Sequence, residues 1–179
     1  FGLLLQDLAT ELTRFVGDPD EYTTTFFGGS GTAVVESILS SVVDSGTLLI
    51  INNGAYGKRM VDIARCYKLN FIEFESSFID PVDLALLEMA IKENNITHLA
   101  CVHHETTSGL LTDISAIGQL CRRYELAFIV DAISSYGAIP IDMNVMEIDF
   151  LAASSNKNLQ GLPGIGFVIS NQKSLEKIS

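Results

Sequence analysis

The sequence predicts an α/β fold, a mostly parallel sheet flanked by helices on both faces. Three observations carry that expectation. Apolar residues switch repeatedly between helical spacing and short continuous runs. Clusters of Gly, Pro, Asn and Asp stand at several of the switches. The composition, 47% hydrophobic and 18% charged over 179 residues, suits a single domain with both sheet faces buried and excludes a disordered chain.

The elements follow in order. Leu4, Leu5, Leu8, Leu12 and Phe15 recur at helical spacing, so the chain opens on an amphipathic helix that Gly17-Asp18-Pro19-Asp20 breaks. Tyr22 to Phe27, rich in Thr and Phe, reads as a strand. After Gly28-Gly29-Ser30-Gly31, a helix from about Thr32 to Val43 carries Val34, Val35, Ile38, Leu39 and Val42 on one side. Leu48 to Ile51 is a buried strand ended by Asn52-Asn53-Gly54, and a helix runs from about Gly57 to Tyr67. Asn70 to Phe74 is a strand, and Pro81 sits in the first turn of a helix reaching about Lys92. Thr97 to His103 is a strand, Ile114 to Tyr124 a helix, and Leu126 to Asp131 an apolar strand ending in an acid. Ile148 to Ala152 and Ile165 to Ser170 are two further strands.

Charge narrows the partners. A net charge of −11 disfavours nucleic acid and anionic membrane surfaces. It leaves room for a local anion site, because backbone amides cradle phosphate whatever the overall charge. No run approaches the ~18 apolar residues of a membrane span. Cys66, Cys101 and Cys121 lack CxxC spacing and read as buried free thiols of a reducing compartment. Phe1 to Leu5 has no basic flank or small-residue cleavage site, and the first residue is not Met. The expectation is a cytoplasmic protein and a chain that begins inside a longer polypeptide.

In open α/β sheets, ligands bind beyond the carboxyl ends of the strands. Ser30, Thr106, Asp131 and Lys157 each follow or end a different strand, which argues for one shared site. Gly28-Gly29-Ser30-Gly31-Thr32 joins a strand to a helix, so its free N–H groups and hydroxyls suit an anion; a plain glycine turn with Ser30 or Thr32 as helix cap fits equally. The dinucleotide and nucleoside-triphosphate glycine fingerprints are both missing. Asp131 ends a hydrophobic strand, where a charge needs a partner; a cationic ring nitrogen, a helix end or a metal would serve. Lys157 follows an apolar strand and the small polar Ser154-Ser155-Asn156, a setting for a cleft lysine whose pKa falls through burial and cationic neighbours and which attacks an aldehyde. A solvated surface lysine is the plain alternative. The glycine-rich turn Gly161 to Gly166 holds the backbone after it in a set path. His103-His104-Glu105 has the wrong spacing for a metal site, since neighbours in a strand face opposite ways.

Read in order, Gly29-Ser30-Gly31-Thr32, Asn53-Gly54-Ala55-Tyr56-Gly57, His104-Glu105-Thr106-Thr107-Ser108-Gly109, Val130-Asp131-Ala132 and Ser154-Ser155-Asn156-Lys157 resemble class V, fold-type I aminotransferases that use pyridoxal 5′-phosphate (PLP). The resemblance covers nearly the whole chain. It implies that Lys157 holds the cofactor as a Schiff base and then moves the substrate proton. It implies that Asp131 pairs with the pyridinium nitrogen and Thr106 bonds the phenolic oxygen. Ser30, Gly31 and Thr32 would hold the phosphate with help from Asn156; Tyr56 would stack on the ring and Ala132 would touch its other face. The substrates implied are an amino donor and a 2-oxo acid. The segment Asn156 to Ile169 and the Thr106-Thr107 pair favour 2-aminoethylphosphonate and pyruvate over an alanine–glyoxylate or serine–pyruvate pairing. A non-catalytic α/β module has no use for both Lys157 and Asp131. The resemblance also implies a homodimer, and an upstream segment and a small C-terminal domain outside residues 1–179, the latter bearing the arginine for the substrate carboxylate.

Overall fold

Strands form where the short apolar runs lie, and helices where the apolar residues recur every three to four positions. The computed structural model describes residues 2–178. Its elements are α1 (Gly2–Arg14), β1 (Tyr22–Gly28), α2 (Gly31–Val42), β2 (Leu48–Asn52), α3 (Ala55–Cys66), β3 (Phe71–Glu75), α4 (Leu84–Glu93), β4 (His98–Val102), β5 (His104–Glu105), β6 (Leu110–Leu111), α5 (Ile114–Arg123), β7 (Ala127–Asp131), β8 (Phe150–Ser154), β9 (Ile165–Asn171) and α6 (Gln172–Leu175). The expected apolar opening at Phe1 lies outside the described residues.

Seven strands form one sheet in the order β1-β9-β8-β7-β4-β2-β3. Neighbours from β8 to β3 are parallel, whereas β9 runs antiparallel to both β8 and β1. The fold class expected from sequence is therefore present, with one reversed strand. Every other strand of the sheet ends on the same edge.

Strand alternation divides the core. Leu48, Ile50, Ala100, Val102, Ile129, Phe150, Ala152 and Val168 pack with the buried sides of α2 and α3. Leu49, Ile51, Leu99, Cys101, Phe128, Val130, Leu151, Phe167 and Ile169 face the other way, against α4 and α5. A strand buried on both faces reads as a continuous apolar run, which is why these segments were visible in the sequence.

Four details differ from expectation. Helix α4 starts at Leu84 rather than at Pro81, because the Asp83 carboxylate accepts the N–H groups of Ala85 and Leu86 at 2.9 and 3.1 Å and so caps it. The polar loop after β4 contains the small hairpin β5–β6. A one-turn helix, α6, capped by Asn171, follows β9. Cys101 and Cys121 are buried, but Cys66 ends α3 in solvent. No helix among the described residues is long and apolar enough to cross a membrane.

Candidate functional site

A cleft of about 400 Å³ opens at the shared carboxyl edge of the parallel strands. Ser30, Gly31, Thr32, Tyr56, Asp131, Asn156 and Lys157 line it. Val35, Met60, Ile63 and Ile133 give it apolar walls. Thr106 and Ala132 are not among the lining residues.

The start of α2 forms one end of the cleft. Ser30 caps this helix: its hydroxyl accepts the Ala33 N–H at 3.3 Å and its carbonyl the Val34 N–H at 3.2 Å. The cap role and the anion role are compatible, since the Ser30 O–H remains a donor. Gly31 and Thr32 stand in the first turn, where helix N–H groups lack intrahelical partners and favour an anion. Glycine at 31 lets Ile133 pack close: a Cβ there would lie 2.6 Å from Ile133 Cδ1, so that side chain would have to shift.

Asp131 ends β7 on the cleft side, only 5% exposed, with Oδ1 accepting the Ile133 N–H at 2.9 Å. Burial raises its pKa to about 6; the Ile133 N–H opposes the rise, the Glu105 charge adds to it and Lys157 opposes it. One residue on, Ala132 belongs to the α4–α5 side of the core and is fully buried. Period-two alternation turns Ala132 away from the cleft, and Ile133 lines it instead. Ser154, read in the sequence only as part of the small polar run before Lys157, was given no role of its own. It is 4% exposed, lines the cleft, and its Oγ has no hydrogen-bond partner among the described residues.

Lys157 lies on the loop after β8 and is exposed, so the burial expected of it is absent in this chain. Its backbone is held as expected. Gly161 N–H donates to the Ser155 carbonyl at 2.7 Å, Gln160 N–H to the Lys157 carbonyl at 2.9 Å, and the Ser155 hydroxyl reaches the carbonyls of Leu162 and Ile165. Asn158 ties the loop to the carbonyls of Ser134 and Tyr136, both at 3.1 Å. The Thr106 hydroxyl donates to Ser134 Oγ at 2.8 Å, beside this loop rather than within the cleft.

Tyr56 is placed by a carboxylate 49 residues away in the chain. The N-cap of α3 is Gly54, which has no side chain to cap with. Glu105 replaces it: Oε2 accepts the Tyr56 N–H at 3.0 Å, while Oε1 accepts the Thr107 hydroxyl at 2.6 Å and N–H at 3.3 Å. A Cβ on Gly54 would sit 2.3 Å from Glu105 Cγ, so glycine is what admits this carboxylate. Glu105 is fully buried. Glu105→Gln keeps the shape but turns a donor toward donors, and should lower stability by about 1–3 kcal/mol, read as a lower urea midpoint at unchanged slope. An unchanged midpoint would show that this cap does not hold α3.

Arg59, one turn after Tyr56, also lines the cleft and was missed in the sequence. The i, i+3 relation puts it on the same side of α3 as Tyr56, but does not tell which element that side faces. In the His103-His104-Glu105 run, His103 Nδ1 is paired with Ser135 Oγ at 2.9 Å and Glu105 is engaged as above, while His104 Nδ1 is buried without a partner among the described residues.

The family model described as aminotransferase class-V matches residues 4–179. A bifunctional phosphonoacetaldehyde hydrolase/aminoethylphosphonate transaminase of Clostridioides difficile is 45% identical over 99% of this chain and 28% of its own length. A 2-aminoethylphosphonate–pyruvate transaminase of Bacillus cytotoxicus is 42% identical over 99% of this chain and 49% of its own. The crystal structure of an alanine–glyoxylate aminotransferase from Nostoc sp. superposes with a TM-score of 0.90 at 28% identity, over 98% of this chain and 47% of that one. The chain thus spans half the length, or less, of these relatives.

Proposed function

The chain belongs to the class-V aminotransferase family, and from that premise we propose that the protein moves an amino group from 2-aminoethylphosphonate to pyruvate, giving phosphonoacetaldehyde and alanine, with PLP in the cleft. The observation that carries this reading is convergence: a lysine, a buried carboxylate and a helix N-terminus with two hydroxyls meet in one cleft although they lie at positions 157, 131 and 30–32. Those groups fit the cofactor. The unpartnered Ser154 hydroxyl and the buried Asp131 want a polar, cationic neighbour, the walls are apolar, and the α2 terminus suits a phosphate. When bound, PLP supplies an electron sink for a carbanion.

The chain's own residues have distinct tasks in this reading. Ser30, Gly31 and Thr32 hold the phosphate, with Asn156 beside them. Asp131 holds a proton on the ring nitrogen, and its burial strengthens the pairing with a cation. Lys157 carries the cofactor and then moves the proton of the amino donor, a task its exposed amine and pinned backbone suit. Tyr56, on α3, and Ile133, beside Asp131, both line the cleft and would contact the cofactor's ring. Thr106 would have to release its bond to Ser134 Oγ to serve the ring's phenolic oxygen from the hairpin turn.

The same reading takes residues 1–179 as the large-domain core of a cytoplasmic homodimer, with the arginine for the substrate carboxylate supplied by a further domain. The choice of donor rests on the relatives at 42% and 45% identity. Its test is amino transfer by the full-length protein with 2-aminoethylphosphonate, alanine and serine as donors, and pyruvate and glyoxylate as acceptors. The highest kcat/KM is expected for the phosphonate with pyruvate. A preference for alanine and glyoxylate would replace the substrate assignment and keep the family chemistry; no transfer with any pair would refute the reading.

A further inference from the structure

Two cations line the cleft of a chain whose net charge is −11: Lys157 and Arg59. Arg59 takes part in no ion pair among the described residues, whereas its neighbour Lys58 pairs with Asp62. Arg59 Nη1 donates to Thr32 Oγ1 at 3.1 Å, and its guanidinium carbon lies 5.8 Å from the centre of the Tyr56 ring. One side chain thus touches both the first turn of α2 and the aromatic ring on α3.

We propose that Arg59 is an anion ligand of the cleft, completing with Gly31, Thr32 and Ser30 a site for a tetrahedral phosphorus oxyanion. The assignment has three supports. A planar guanidinium presents several donors at fixed angles, and only one is used on Thr32, so others remain for a phosphate or phosphonate oxygen. Because Thr32 Oγ1 accepts from Arg59, the Thr32 hydroxyl proton is free to point elsewhere, toward the same anion. Independently of the helix end, Ser154, whose Oγ is buried and unpartnered, lines the same cleft, which points to a polar ligand there. The contact with Tyr56 adds a positional role, since an arginine held over an aromatic face fixes both. The inference rests on the proposed aminotransferase reading only for what carries the oxyanion, a phosphorylated cofactor or a phosphonate donor.

The test uses the full-length protein and its Arg59→Gln and Arg59→Lys variants. Three titrations are compared: PLP and pyridoxal, which differ only in the phosphate, followed by visible absorbance, and inorganic phosphate, followed by thermal protection. Arg59→Gln should weaken inorganic phosphate about 10- to 100-fold, the loss of a hydrogen bond between charged groups. If the oxyanion is the cofactor's, PLP weakens by the same factor and pyridoxal is unchanged. If it is the donor's, PLP is unchanged and the KM for 2-aminoethylphosphonate rises about 10- to 100-fold while that for alanine does not. Arg59→Lys should recover part of either loss. Equal weakening of PLP and pyridoxal, or no change in phosphate protection, overturns the assignment. Should wild type bind phosphate but neither PLP nor pyridoxal, the aminotransferase reading fails and the Arg59 site stands.

Discussion

Alanine at position 157 is expected to lower amino transfer by about 10²- to 10⁴-fold, the usual share of a positioned proton-transfer group, and to abolish the covalent capture of PLP by borohydride. The geometry makes this prediction sharp. Lys157 is the cleft's only lysine, and the other cation there, Arg59, does not condense with an aldehyde. Lys58 on the same helix is turned to Asp62. Because Lys157 is exposed and holds no described side-chain partner, the variant should stay within about 0.5 kcal/mol of wild-type stability, so lost activity could not be blamed on unfolding. Peptide mapping after borohydride reduction provides the check: cofactor recovered on any other lysine in wild type, or on the Lys157→Ala protein at all, removes Lys157 from its role.

Asp131→Asn should give the opposite pairing of effects, a gain in cofactor-free stability together with a loss of activity. The folded-state pKa of about 6 lies above the ordinary 3.8, mainly through burial. A raised carboxylate binds more protons folded than unfolded, so its favourable contribution is full below about pH 4 and is lost as pH rises through 6. At pH 8, roughly, the charged side chain therefore costs about 3 kcal/mol that asparagine does not. The variant should exceed wild type by about that amount in urea unfolding near pH 8, with the gap closing toward pH 4. Amino transfer should fall by about 10²- to 10³-fold, since a buried ion pair loses one partner. A stability gap that does not depend on pH would show that Asp131 is not a strained buried acid.

Much of the architecture was legible because burial on both faces writes a strand as an uninterrupted apolar run, as in Leu48 to Ile51. The strand-end positions of Asp131 and Lys157 were legible for the same reason. Side-chain direction within the site was harder. Asp131 and Ala132 are adjacent in sequence, but alternation sends one into the cleft and the other into the opposite core layer. Arg59 needed the knowledge that the start of α3 faces the start of α2, which is a tertiary fact. The Glu105 cap of α3 joins residues from distant segments, and a local capping pattern around Gly54 could not reveal it. Thr106 followed the expected strand, but the hairpin it sits on turns its hydroxyl to Ser134.

The reversed strand β9 imposes an order of assembly on the cleft. β1 leads directly into the turn proposed to hold the anion, yet among the described residues its only partner in the sheet is β9, with Gly28 opposite Ile165 and the Gly29 N–H donating to the Gly164 carbonyl at 2.8 Å. Until residues near 165–171 are in place, β1 has no strand beside it, although α1 and α2 already pack against neighbours of their own. During synthesis, Lys157, Asp131 and Tyr56 all leave the ribosome before the strand that anchors Ser30 and Thr32. Pairings this far apart in sequence close late and slowly. The turn after β1 should therefore reach its final register in a late step, when β9 slots between β1 and β8.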